Sequence, residues 1–138
     1  MEQYSKSINL TNQQIFEIFK GDFGMLTNTA KDMACYLIKS LIDFFGDKMS
    51  GYSIFDVNED VNNKSFRVKF LAYNYFPVSF VYDKGGIGFS ICYGTYFIPL
   101  KNSQQWWDQA DINILLTELE KDLILRIPDK FLKAHGWL

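Results

Sequence analysis

An α+β fold, with helices at both ends of the chain and an antiparallel meander between them, follows from two observations on period and one on punctuation. Apolar residues recur at three- and four-residue spacing from Ala30 to Phe45, alternate every second residue from Phe66 to Tyr93, and return to helical spacing at Leu115, Leu116, Leu119 and Leu123. Gly, Asp and Asn cluster between the runs, and no internal repeat, linker or low-complexity tract interrupts them. The prediction is one domain over residues 1–138, with two N-terminal helices, a meander of about four strands and C-terminal helices packed on the sheet.

Thr11 and Gln14 form a Thr-x-x-Gln capping box, and Ile15, Phe16, Ile18 and Phe19 supply the apolar face of a short first helix ending near Gly21. In the longer second helix Ala30, Met33, Ala34, Leu37, Ile38, Leu41, Ile42 and Phe45 make the buried stripe, Lys31, Asp32, Lys39, Ser40 and Asp43 fall between them, and Gly46 is the stop. Strand pattern begins near Tyr52 and runs to Val57. Phe66, Val68, Phe70 and Ala72 then alternate with Arg67, Lys69, Leu71 and Tyr73. Phe76, Val78, Phe80 and Tyr82 continue the alternation, Asp83-Lys84-Gly85-Gly86 supplies a hairpin turn, and Ile87, Phe89, Ile91 and Tyr93 form the next apolar row. Opposite that row stand Gly88, Ser90, Cys92 and Gly94, small enough to admit a close neighbour. Pro99 ends the sheet region, Asn102 or Ser103 caps a turn carrying Trp106 and Trp107, and Asp111 caps the Leu-striped helix. Pro128 breaks that helix and begins another, which His135-Gly136 stops.

At 138 residues and 48% hydrophobic content the chain has enough apolar material for one core without disulfide or metal support. Its formal charge is −2, and Arg occurs only at Arg67 and Arg126. Arg is the preferred group for bidentate contacts to phosphate and guanine, and no basic run is present, so nucleic acid is not an expected partner. The start, Met1-Glu2-Gln3-Tyr4-Ser5-Lys6, has neither a basic nor an apolar targeting region, and no apolar run approaches the length of a bilayer span. A cytoplasmic protein with no membrane association is expected. Cys35 and Cys92 lie far apart among apolar neighbours, as free thiols in a reducing compartment do.

The chain combines 13 Phe, 8 Tyr and 3 Trp with a single His, so it is rich in packing material and poor in catalytic groups. His135 sits beside a helix-stop glycine, where its ordinary role is to meet the last helical carbonyls. Structural zinc needs about four N or S ligands, and His135, Cys35 and Cys92 share no ligand spacing. The run Asp56-Val57-Asn58-Glu59-Asp60-Val61-Asn62 has the oxygen spacing of a calcium loop. Val61 replaces the required Gly, however, and Arg67 replaces the bidentate Glu, so an acidic hairpin loop is expected. Gly86-Ile87-Gly88 leads into a strand and not a helix, which fits a hairpin and not a phosphate cradle. Glu118 and Asp122 lie on the polar side of the Leu stripe, where charge is solvated. No catalytic residue, metal or cofactor is expected, and the protein is read as a binder and not an enzyme.

The strongest positive feature is Trp106-Trp107-Asp108-Gln109-Ala110-Asp111. Two adjacent indoles cannot face the same side of a helix or strand, so one is expected to be buried and the other partly exposed. Trp is enriched among interface anchors, and Asp108 and Asp111 beside it suit a basic partner. Against this stands the plain alternative that both indoles staple the helix to the sheet. Asp56, Glu59 and Asp60 form a second acidic segment that can serve the same partner.

The C-terminal run, a Leu-striped helix followed by Arg126-Ile127-Pro128-Asp129-Lys130-Phe131-Leu132-Lys133-Ala134-His135-Gly136-Trp137, resembles small bacterial immunity proteins of contact-dependent growth inhibition and polymorphic toxin systems. That resemblance implies a cognate toxin domain as partner, such as a basic nuclease, neutralised by stoichiometric occlusion. The contact residues expected from the composition are then Trp106, Trp107, Asp108, Asp111, Asp56, Glu59 and Asp60. Two other classes fit a small acidic α+β domain. One is a secretion chaperone or adaptor, which an exposed apolar groove and a homodimer would mark. The other is a small-ligand binder that uses Tyr73, Tyr75, Tyr82, Tyr93 or Tyr96 as polar handles, which a deep enclosed pocket would mark.

Overall fold

Thr29 opens the first described helix, α1 (Ala30–Phe45), by accepting the Asp32 N–H at 3.1 Å, and Gly46 ends it at φ 59°, a backbone conformation that suits glycine. The computed structural model describes residues 8–9 and 29–138, so the expected helix over 11–21 lies outside the described residues. Among the described residues one helix precedes the meander, where two were expected.

The sheet comprises β1 (Ile8–Asn9), β2 (Met49–Asn58), β3 (Ser65–Ala72), β4 (Phe76–Asp83), β5 (Gly86–Tyr93), β6 (Tyr96–Pro99) and β7 (Gln105–Trp106). The first six are antiparallel neighbours in chain order, and β7 pairs with β5. The four long strands are those the alternation predicts. The expected count of about four misses β1, β6 and β7, all short, and β6 and β7 have no one-sided burial to imprint a period. Strand β2 bends at two bulges, where Gly51 and Asp56 take positive φ and the register slips. Lys84 and Gly85, both at positive φ, make the tight turn from Asp83 to Gly86.

Alternation sends Ile54, Phe66, Val68, Phe70, Val78, Phe80, Ile87, Phe89 and Ile91 to one face, where they share a single buried core with α1 and with α2 (Ile112–Ile124). α2 contributes Leu115, Leu116, Leu119 and Leu123, the expected stripe. Its N-terminus is capped by Asp111, whose Oδ1 accepts from Asn113 N at 2.9 Å and Ile114 N at 3.2 Å. α3 (Asp129–Ala134) follows Pro128 and buries Leu132. Gly136, at φ 73°, stops α3, and Trp137 N–H donates back to Leu132 O at 2.9 Å. His135 Nδ1 lies 2.9 Å from Phe131 O, the helix-end contact expected of it. Among the described residues the helices therefore cover one face of the sheet and none lies on the outer face.

Candidate functional site

The pairing registers map the outer face as rows running across the strands. One row is Asn58, Ser65, Asp83, Gly86 and Trp106; the next is Phe55, Arg67, Val81 and Gly88; a third is Ser53, Lys69, Ser79, Ser90 and Pro99; the last is Ser50, Leu71, Pro77, Cys92 and Phe97. Small residues thus occupy the middle of β5, and the face sinks there. An open cleft of about 420 Å³ results, lined by Val81, Asp83, Gly88, Ser90, Pro99, Gln104 and Trp106 among others. The row of small residues on β5 was expected to admit a close neighbour. At Gly88 the neighbour is the Gln104 side chain, whose amide a β-carbon would overlap.

The far edge of β5 is divided. β6 pairs with Ser90 to Tyr93, β7 with Gly86 and Ile87, and a short 3₁₀ turn, Lys101–Ser103, spans the gap. Ser103 Oγ stands in for the missing strand: it accepts Phe89 N–H at 2.8 Å and donates to Leu100 O at 2.6 Å. This buried hydroxyl lets the chain leave the sheet at Leu100 and return at Gln105 without stranding a backbone amide in the interior. It thereby sets Gln104, Gln105 and Trp106 beside the cleft.

The two indoles take opposite directions as expected, although neither is fully buried. Trp107 turns inward and half-buries against Phe80, Tyr82 and Tyr36, with ring centroids at 6.5, 5.9 and 6.1 Å, and its backbone N–H donates to Gly85 O at 2.8 Å. It acts as the staple. Trp106 turns outward on the cleft side and is 59% exposed. Asp108 is exposed at the same end of the sheet, close enough to Tyr82 that its charge, after burial, helps raise the phenol above its ordinary pKa.

The acidic residues singled out from sequence have local work to do. Glu59 reaches from the β2–β3 loop to the start of α1 and accepts Ala30 N–H at 2.6 Å and Lys31 N–H at 3.2 Å, where the helix end is electropositive. Asp60 accepts Asn62 N–H at 2.9 Å and shapes the loop, and Asp56 lies 3.5 Å from Arg67 at the bulge. Asp111 is occupied as the cap of α2. Both acidic segments fall at one end of the sheet, with Asn58 and Trp106 four strand spacings apart, roughly 19 Å. Among the described residues Trp106 and Asp108 therefore remain as exposed groups with no side-chain capping bond.

A prediction separates these roles. Glu59→Ala and Asp111→Ala should each destabilise the fold by about 1 kcal/mol, a fall of roughly 3–5 °C in thermal midpoint. Asp111→Asn keeps a capping oxygen and should leave the midpoint within about 1 °C of the native value. Equal midpoints for the Ala and Asn variants would show that Asp111 does not cap.

Sequence reading missed Asp83, Gln104 and Gln105 at the cleft, and it missed the exposed hairpin β5–β6. Tyr93, Tyr96, Phe97 and Ile98 all stand exposed there, Tyr96 at 77%. Tyr-Phe-Ile-Pro, apolar at every position with Pro at its end, is the available signal, because proline within a strand belongs to an edge. The two thiols are protected. Burial pushes Cys35 up to about 11, with smaller opposing effects from Lys31 and Asp32. Cys92 is also raised by burial, against the pull of Lys69 and Arg67.

No helix among the described residues is long and apolar enough to cross a membrane. No family model, curated protein or solved structure matches the chain.

Proposed function

We propose that this protein works by binding another protein, as an immunity-type inhibitor that blocks a toxin domain by stoichiometric occlusion. The observation that carries the reading is the apolar margin of the sheet. Tyr93, Tyr96, Phe97 and Ile98 on the β5–β6 hairpin and Trp106 on β7 are exposed along the same edge of β5, next to a cleft. Exposed aromatic and aliphatic side chains gathered on one hairpin favour an interaction site, and aromatic side chains supply large contact area at low entropy cost. The edge favours side-chain contacts over strand addition. Leu100 N donates to Phe89 O, so by alternation Tyr96 and Ile98 direct their backbone at β5, while Phe97 and Pro99 direct theirs outward. Pro99 has no N–H, so the exposed edge lacks a donor at that position.

The test is co-expression with the C-terminal domain of the protein encoded immediately upstream. Rescue of growth and co-elution as a 1:1 complex are expected, with Trp106→Ala weakening the complex by on the order of 30-fold or more. Absence of both rescue and complex would overturn the reading. A concentration-dependent homodimer that buries the β5–β6 hairpin would support a secretion chaperone or adaptor in its place.

A further inference from the structure

We infer that the cleft beside Trp106 receives a guanidinium group, the side chain of an arginine on the partner's surface. The inference deepens the binding reading above and names the chemistry of its central contact. Asp83, Gly86 and Trp106 are register partners across β4, β5 and β7, so carboxylate and indole face each other over a residue without a side chain. Two strand spacings separate their backbones, roughly 10 Å, which leaves a slot wide enough for one flat group. The indole lies beside the β4–β5 turn, where a β-carbon built on Gly85 would sit 3.5 Å from its Cε3.

The polar groups around this slot are matched in one sense. Gln104 spends its amide N–H groups on Leu100 O at 3.4 Å and Phe89 O at 3.5 Å. Its amide oxygen is left as an acceptor, and the Asp83 carboxylate accepts only. Among the described residues no cation lines the cleft and Asp83 has no ion pair. The cations of this face stand on β3, where Arg67 is tied to Asp56 at 3.5 Å. An amide oxygen, a carboxylate and an exposed indole call for a ligand that is cationic, planar and rich in donors. Guanidinium has five donors in a flat fork, stacks on indole and pairs with carboxylate, whereas ammonium offers a point charge and three donors.

The test is a titration of the full ¹⁵N-labelled chain with acetyl-Gly-Arg-Gly-amide, alongside the same peptide carrying lysine or citrulline. Saturable shifts are expected at Gly85, Gly86 and the Trp106 indole, with affinity falling from arginine to lysine and by on the order of tenfold or more for uncharged citrulline. Asp83→Asn and Trp106→Ala should each weaken arginine binding by on the order of tenfold, with the remaining spectrum unchanged. Equal responses to arginine and citrulline, shifts that persist in Asp83→Asn, or saturation by a methyl glycoside in place of the arginine peptide would overturn the inference. Growth protection is not read in this experiment. A chain that binds the arginine peptide yet protects no cell overturns the immunity reading alone, and a chain that protects without discriminating arginine from citrulline overturns the guanidinium site alone.

Discussion

Phe89→Ala is expected to remove about 3–5 kcal/mol of stability, a large part of the roughly 5–15 kcal/mol that holds a domain of this kind together. Phe89 is fully buried at the centre of β5, and its ring meets Phe80 and Phe70 at centroid distances of 5.0 and 6.2 Å. Phe80 in turn packs on Trp107, so the ring stands between the core proper and the segment that carries the cleft. Truncation loses the transfer free energy of the ring and leaves a cavity that paired strands on both sides cannot collapse to fill. Urea unfolding followed by tryptophan fluorescence gives the value. Phe89→Leu should cost less, about 1–1.5 kcal/mol, because most of the volume is retained. A loss below about 1 kcal/mol for Phe89→Ala would mean that the core is centred elsewhere.

Ser103→Ala is expected to cost about 1–3 kcal/mol, well beyond the roughly 0.5 kcal/mol typical of an unremarkable surface substitution. The side chain is 1% exposed and is the acceptor of the Phe89 N–H in the gap between β6 and β7. Alanine would leave that amide buried and unpaired, and the Leu100 carbonyl would lose the shortest of its hydrogen bonds. The consequence reaches the site, since Gln104 and Trp106 follow directly in sequence. The expected signature is a lowered unfolding midpoint together with faster hydrogen exchange at the Phe89 amide than at its neighbours on β5. Unchanged exchange at Phe89 would show that the amide has another acceptor.

Much of the architecture is legible in the residue pattern, because burial on one side imprints a period. Leu115, Leu116, Leu119 and Leu123 could face a core only from a helix, and Phe66, Val68, Phe70 and Ala72 only from a strand. The caps at Asp111 and Thr29 and the stops at Gly46 and Gly136 are likewise local, set by side-chain reach and backbone sterics within a few residues. Tyr73 shows where such reasoning ends. Its place in the alternating run puts it outward, yet it takes φ 55° and is buried between Phe45 and Trp137, with its N–H donated to Lys48 O at 2.6 Å. A left-handed backbone at a bulky residue costs on the order of 1–3 kcal/mol, and contacts distant in sequence offset it.

The candidate site is legible only in part. Adjacent indoles announce that one will be exposed, but not which, and the acidic residues near them read as free charge when two of them, Glu59 and Asp111, are bound to helix ends. Asp83 and Gly86 look like ordinary turn residues. Their meaning comes from Trp106, twenty residues further on from Gly86, returning to the same strand as a register partner.

From the chain alone came the class of the fold, the helix ends and the core face of each long strand, because these depend on period and on steric preferences a few residues in range. Tertiary structure alone decided that Ser103 replaces a strand, that Glu59 serves α1, and that a carboxylate and an indole confront each other over a glycine. Those outcomes depend on register between segments remote in sequence, and no local preference encodes which backbone amide a hydroxyl or carboxylate will find when the strands close.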